Sequence, residues 1–385
     1  MKFLMRRLTR TATCRGWVQS LQAGFLAAYL EVLLVVSLGA GLTLTSPAAR
    51  AQSTAQPQTQ VYKLRIVGGL ASVNQYTRHE EPFWSKELLR ISGGKFDAEI
   101  VPFDRAGVPG ADMLRLIQLG VVPFGTTLLG NLTAQYPEFI APDLAGLNPT
   151  IGDLKKSVAA FRPYLEKTLR ARHGIEVLAI YVYPAQVTFC NRAFTGLSNL
   201  SGRRIRVSSS TQADFVSALS AVPVLTPFSQ LMANMSSGNT ECAITGTMSG
   251  NTLGLHEVTT HLHTLAVTWG LAVFGANASA WAALPPDLKT LLRRELPRLE
   301  TEIWAESERE TAEGIACNSG VAGCLGGRRG KMIEVGSSAL DEIQRKEILA
   351  NAVLPNWLKR CGPSCSEVWN QTVGAARGIM VPAAK

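Results

Sequence analysis

What the chain lacks narrows its chemistry. It has no G-x-S-x-G nucleophile elbow, and none of its cysteines stands in a recognisable nucleophile context. The segment "GGRRGKM", Gly326 to Met332, is not a phosphate-binding loop, because Leu325 stands where the first glycine must be and Met332 where the Ser/Thr must be. Histidines are few, five in all, and "HEVTTH" from His256 to His261 spaces its imidazoles five apart rather than the four that share a helix face. His261 and His263 fall on one strand face, yet no Cys or acid at ligand spacing completes a zinc site. No metal or cofactor is expected, and an enzyme is the weaker reading; an exported α/β enzyme using the Cys/His residues stays as the alternative from that class.

Long apolar runs are also scarce. The single one, Val32 to Thr45, follows the basic residues Lys2, Arg6, Arg7, Arg10 and Arg15 and precedes Ala49-Arg50-Ala51, an A-x-A cleavage pattern. Glu31 borders the run, which is shorter than the roughly 20 residues a membrane span needs. Residues 1–51 are therefore expected to be a secretory signal peptide cleaved after Ala51, giving an exported, soluble product. Removing six Lys/Arg and one Glu with it leaves 32 basic and 28 acidic residues, a net charge of +4. That excess is too small to favour nucleic acid or a membrane surface as partner.

Seven cysteines become six after cleavage. In an oxidising compartment that even number permits disulfides, with 15 possible connectivities. Cys317, Cys324, Cys361 and Cys365 lie close together among Gly, Ser and Pro, so two bridges among them are expected. Cys190 and Cys242 sit in apolar, strand-like contexts, where a pair and two buried thiols are equally open.

A chain of 385 residues exceeds what one core usually supports, so two domains are the starting expectation. After a polar lead-in over 52–60, strands and helices alternate. "YKLRIVGG" reads as a strand, "EEPFWSKELLRIS" as a helix, "KFDAEIVPF" as a strand and "GADMLRLIQLG" as a helix. The helical "IGDLKKSVAAFRPYLEKTLRARHG" then precedes the strand "VLAIYVY". The pattern repeats through "RRIRV", "TQADFVSALSA", "VPVLT", "FSQLMANMSSG" and "ECAIT", which indicates an α/β protein with mostly parallel sheets. Pro285-Pro286-Asp287 opens a long helix toward Cys317, and Pro297 is expected to kink or interrupt it. No repeat of solenoid period is present.

The stretch "GRRIRVSSS", Gly202 to Ser210, carries three arginines in what reads as a strand. If Ile205 and Val207 enter a core, the period of two puts Arg204 and Arg206 on the opposite face. Each is either a solvated charge or a group facing a ligand.

"LSNLSGRRIRV" resembles the "DLKGLKIRV" hallmark of the substrate-binding proteins of tripartite ATP-independent periplasmic (TRAP) transporters, the C4-dicarboxylate-binding DctP type. "VPFDRAGVPGADMLRLIQLGVV", "SSGNTECAITG" and "WAALPPDLKTLLRREL" resemble other segments of that family, in the same order and over nearly all of the exported chain. The resemblance implies a two-lobe periplasmic binding protein fold, type II-like, with mixed or parallel sheets, crossover strands and a long connecting helix. It implies lobe I at 61–183 plus about 271–300, lobe II at 184–270 plus about 301–380, and a helix at about 286–316 spanning both. It also implies a monomer that closes over a small organic acid anion in the periplasm and passes it to the small and large TRAP membrane subunits. An ABC-type or sensor-linked receptor is the alternative among binding proteins.

By position, Arg206 matches the family's arginine that forms a bidentate bridge to the ligand carboxylate, which suits a planar guanidinium; Arg203 and Arg204 are then expected to stay in water. Phe228 matches an aromatic that packs on ligand, with core packing equally open. Thr245 matches an Asn that hydrogen-bonds ligand, and Thr247 lies close by. Gln186 falls where sialic-acid-type members have a second arginine, and Leu128 near their Glu, so the site is expected to be less polar and to favour a monocarboxylate such as a keto or hydroxy acid, an aromatic acid or pyroglutamate. Asn74 and Gln75 follow the first strand, where the family's loop reaches the cleft. Tyr183 and Trp269 flank the crossover strands and would wall the pocket or belong to the core. Asp104 and Arg105 are expected to pair, and Ser208 lies at the C-terminal end of its strand, where a helix N-terminus offers groups to an anion.

Overall fold

A computed structural model describes residues 61–383; the signal-peptide expectation lies outside them. Eleven strands follow in order: β1 (Tyr62–Gly68), β2 (Phe96–Pro102), β3 (Phe124–Leu128), β4 (Ile175–Val182), β5 (Gln186–Cys190), β6 (Arg204–Val207), β7 (Val222–Leu225), β8 (Cys242–Gly246), β9 (His261–His263), β10 (Leu271–Asn277) and β11 (Ile333–Val335). They form two sheets, one ordered β2-β1-β3-β10-β4 and the other β11-β9-β5-β8-β6-β7. β1 shows the period of two directly: Leu64, Ile66 and Gly68 are buried while Lys63 and Arg65 face out.

The sheets are mixed rather than mostly parallel. β1 runs parallel to β2 and β3, but β10 lies antiparallel between β3 and β4. In the second sheet β5 is antiparallel to both β8 and β9. The reason is topological. The chain passes from β4 to β5 through Tyr183, Pro184 and Ala185, and returns from β9 to β10 through residues 264–270, so the two crossings run in opposite directions. They are hydrogen-bonded to each other: Gln186 N–H donates to Thr268 O at 2.8 Å, Val267 N–H to Gln186 O at 2.9 Å and Tyr183 N–H to Gly270 O at 3.1 Å. Gly270 has φ +85°, and a Cβ there would lie 2.5 Å from Gln186 Nε2, so both backbone conformation and space call for glycine.

Helices cover both sheets. Ile151–His173 begins at Thr150, whose Oγ1 accepts the Asp153 N–H at 3.1 Å, and ends at Gly174 with φ 59°. The expected helix near residue 80 starts earlier, and Gln75–Glu80 and Phe83–Glu87 within it are π-helical. The long helix spans Pro286–Ser319, with Pro286 in its first turn, and runs on through Pro297 without the expected interruption. Leu292, Leu296, Leu299 and Ile303 are buried along one stripe, and burial of about 1.5–3 kcal/mol per side chain outweighs the roughly 3 kcal/mol a mid-helix proline costs.

This helix touches both sheets' surroundings. Trp304 Nε1 donates to Ile180 O at 2.8 Å and Ser307 Oγ to Val182 O at 2.7 Å, both on β4. Further along, Thr247 Oγ1 donates to Glu310 O at 3.0 Å and Asn318 Nδ2 to Thr247 O at 2.9 Å, which fixes the helix Thr247–Leu253 against it. Gly314 allows that approach, since a Cβ there would lie 2.3 Å from Met248 N and 2.5 Å from Thr247 C.

All six cysteines among the described residues pair. Cys190 and Cys242 are directly opposite on β5 and β8 and form a disulfide, the pairing that the sequence had left open. Cys317–Cys324 ties the end of the long helix to the following loop, and Cys361–Cys365 closes a short C-terminal loop. Among the described residues no helix is long and apolar enough to cross a membrane.

Candidate functional site

β6 explains the arginine-rich stretch. Arg204 is exposed, whereas Ile205, Arg206 and Val207 are all buried, because β6 is an inner strand between β7 and β8 and both of its faces are covered at this end. Arg204 donates to Asn239 O and Gly238 O at 2.9 and 3.0 Å, and Arg203 to Arg192 O and Ala193 O while lying 5.6 Å from the Phe194 ring centre. These two arginines are used on the outside of the sheet.

Arg206 is 2% exposed. Its Nε donates to Thr226 O and its Nη1 to Ile244 O, each at 2.9 Å. These two bonds fix the guanidinium plane. Among the described residues no carboxylate pairs with it, and its Nη2 donates to no protein group. Burial lowers its pKa to about 10, which still leaves a cation at neutral pH. A buried charge with no counter-charge costs several kcal/mol, so the arrangement is one that an incoming anion relieves.

Arg206 lines a cavity of about 560 Å³. Leu70, Phe103, Leu128, Ile140 and Asp143 reach it from the first sheet's side and Ser208, Gln212, Thr226, Phe228 and Thr245 from the second's, with the crossings supplying Tyr183, Gln186 and Thr268. Of the ten positions singled out in the sequence, Arg206, Gln186, Phe228, Thr245, Tyr183 and Ser208 are brought together here. The hydroxyls of Thr245 and Tyr183 have no hydrogen-bond partner among the described residues, and burial, followed by the nearby Glu80, holds the Tyr183 phenol well above its ordinary pKa, so it keeps its proton.

The other four lie elsewhere. Asn74 and Gln75 enter the helical stretch after β1 and face the long helix, Asn74 bonding the Glu310 carboxylate and Gln75 Nε2 donating to Ser307 Oγ at 3.0 Å. Thr247 is taken up by its bond to Glu310 O. Trp269 is buried, its indole N–H donating to Asn148 O at 2.9 Å, so it is a core residue of the second crossing. Asp104 and Arg105 form no ion pair among the described residues; an Asp104 carboxylate oxygen accepts the Ala71 N–H at 3.1 Å instead.

Two cavity residues carry no signal that the sequence reading used. Asp143, 1% exposed, accepts N–H bonds from Trp269 at 3.1 Å and Gly270 at 2.7 Å, clamping the second crossing; burial raises its pKa to about 7 against these bonds. The acid in the otherwise apolar "FIAPDLAGL" was the available clue. Gln212 sits in the first turn of the helix Ser210–Ala218, which Ser209 caps by accepting the Gln212 N–H at 3.2 Å. Its Oε1 accepts the Ser208 N–H at 2.8 Å, and its Nε2 donates to Gln186 Oε1 at 2.7 Å and Thr268 Oγ1 at 2.8 Å. Gln186 and Gln212 therefore spend most of their polar groups on each other and on the crossings.

The family of bacterial extracellular solute-binding proteins, family 7 (DctP), matches residues 69–322. The chain belongs to this family. Its fold is the two-lobe periplasmic binding fold of TRAP-type solute-binding proteins. A Bordetella pertussis extracytoplasmic solute receptor, DctP7, that binds pyroglutamic acid is 18% identical, with a TM-score of 0.72 over 81% of this chain and 99% of that one. A Desulfovibrio salexigens TRAP periplasmic solute-binding protein with bound orotic acid is 15% identical, with a TM-score of 0.72 over 83% and 100%. A Ralstonia eutropha TRAP periplasmic solute-binding protein with bound (S)-2-acetolactate is 17% identical, with a TM-score of 0.69 over 83% and 98%. No curated protein matches the chain significantly. At these identities the likeness to solved structures is one of fold.

Proposed function

We propose that this DctP-family protein captures a small organic monocarboxylate between lobe I, 61–183 with about 271–300, and lobe II, 184–270 with about 301–380, and presents it to the small and large TRAP membrane subunits. It performs no chemistry on the ligand. The observation that carries the reading is Arg206: a buried guanidinium, fixed by two carbonyls, unpaired and bordering the cavity. A ligand carboxylate accepts charge-assisted bonds from it, with the Thr245 and Tyr183 hydroxyls and Ser208 as further polar partners. Phe228 packs against the body of the ligand.

Contacts to both sides of one cavity make closure a ligand-driven population shift, since the closed form gains bonds that the open form lacks. The crossings, cross-bonded through Gln186 and Thr268, form the natural hinge. The known ligands of its fold relatives, pyroglutamate, orotate and acetolactate among them, support an organic acid as the cargo class. The reading is tested by a thermal-shift screen with a carboxylate library, because a ligand that binds only the native state raises Tm. At least one monocarboxylate should raise Tm in a concentration-dependent way; a library without a hit, or hits confined to di- and tricarboxylates, would refute it.

A further inference from the structure

One basic and two carboxylic side chains line the cavity, Arg206, Asp104 and Asp143, beside the Tyr183 phenol, which keeps its proton. The single cation spends two of its five N–H groups on Thr226 O and Ile244 O and leaves Nη2 without a protein partner. One carboxylate satisfies it. A second carboxylate on the same ligand would find no cation in the lining and would face two acidic side chains, one of them almost fully buried.

On the rest of the wall apolar surface outweighs polar surface, although the Thr245 and Tyr183 hydroxyls and the side chains of Asn131, Ser229, Gln230 and Ser249 also line it. The amides of Gln186 and Gln212, which would otherwise recognise hydroxyl-rich ligands, are committed to Thr268, Trp269 O, Ser208 N–H and each other. Leu70, Phe103, Val108, Leu128, Ile140 and Phe228 supply the apolar part of the lining. Filling that space with a small polar acid would leave apolar surface against water, whereas an apolar body removes it. The volume, about 560 Å³, falls in the range of sites that enclose a ligand of ring size or larger.

We propose that the cargo is a monocarboxylate with an uncharged, predominantly apolar body, a ring or a branched or linear chain of about six or more heavy atoms, held by Arg206 at its acid end and by the Leu128–Ile140–Phe228 side of the cavity at the other. This rests on the carboxylate reading above and narrows it. It makes Leu128 and Phe228 the residues that set specificity, because they meet the part of the ligand that distinguishes one acid from another.

Isothermal titration of the purified exported chain with phenylacetate, hexanoate, lactate and succinate tests it. The tighter of phenylacetate and hexanoate should bind at least ~10-fold more strongly than lactate and succinate, a gap of about 1.4 kcal/mol. Leu128→Gln should weaken that acid by at least ~5-fold while changing lactate less than ~2-fold, which a general loss of folding would not do. Lactate or succinate binding as tightly as the apolar acids would overturn the apolar-body inference and leave the carboxylate reading standing. Absence of binding by all four acids would overturn both.

Discussion

Gly314 offers a sharp test of how the long helix holds the molecule together. A Cβ at this position would lie 2.3 Å from Met248 N and 2.5 Å from Thr247 C, both backbone atoms that no rotamer change can move. Ordinary van der Waals contact needs about 3.4–4 Å, so Gly314→Ala requires the long helix and the helix Thr247–Leu253 to separate by about 1 Å. That shift stretches two bonds at their junction, Thr247 Oγ1 to Glu310 O and Asn318 Nδ2 to Thr247 O. Overpacking of this kind costs about 1–3 kcal/mol, and weakening the two bonds about 1 kcal/mol more, against a gain of about 1 kcal/mol in helix propensity. The net expectation is a loss of about 1–3 kcal/mol, read as a lower urea midpoint with unchanged m-value and a Tm lower by about 2–6 °C. Gly336→Ala is the control, since nothing lies within 4 Å of a Cβ there, and it should stay within about 0.5 kcal/mol of the parent. A Gly314→Ala protein as stable as the parent would refute the close approach.

Other consequences follow from burial and cross-linking. Glu80, fully buried and bonded to Gly69 N–H and Thr126 Oγ1, has its pKa raised to about 7 by desolvation, so the native state binds a proton that the unfolded chain releases near pH 4.5. Stability from this group is present at low pH and lost as pH rises toward and through 7; Glu80→Gln should therefore gain on the parent between pH 5 and 8, by up to about 3 kcal/mol, and a flat difference in paired melts would contradict it. Removing the Cys190–Cys242 bridge by double substitution to alanine opens a separation of 52 residues and should lower stability by about 4 kcal/mol in denaturant titrations. The same change at Cys361–Cys365, separated by 4, should cost about half as much or less, and equal losses would count against a chain-entropy origin.

Much of the fold was legible because its elements announce themselves by period and punctuation. β1 alternates, the helix Ile151–His173 carries Thr at its start and Gly at its end, and Pro285-Pro286 marks the start of the long helix. The crossings were harder. β10 and the end of β4 are buried on both faces, so they show an apolar run without alternation, and their antiparallel pairing depends on topology that local pattern does not hold. At the site, alternation singled out Arg204 and Arg206 but could not say which was buried; that is decided by how far β7 and β8 extend beside β6. Asp143 and Gln212 were missed because their roles come from partners 126 and 127, and 26 and 56, residues away in sequence. Asn74 and Gln75 follow β1 but enter a helical stretch that turns them toward the long helix, and Trp269, on the second crossing, turns into the core.

The central claim is that Arg206 anchors a ligand carboxylate. Titrating the best-binding monocarboxylate into the parent, Arg206→Lys and Arg206→Ala proteins, each first checked for a native circular dichroism spectrum and cooperative melt, measures it most directly. The account predicts a loss of at least ~100-fold for Arg206→Ala, about 2.7 kcal/mol, and a smaller but clear loss for Arg206→Lys, whose ammonium keeps the charge without the planar fork. Affinity within a few-fold of the parent in a folded Arg206→Ala protein would contradict it.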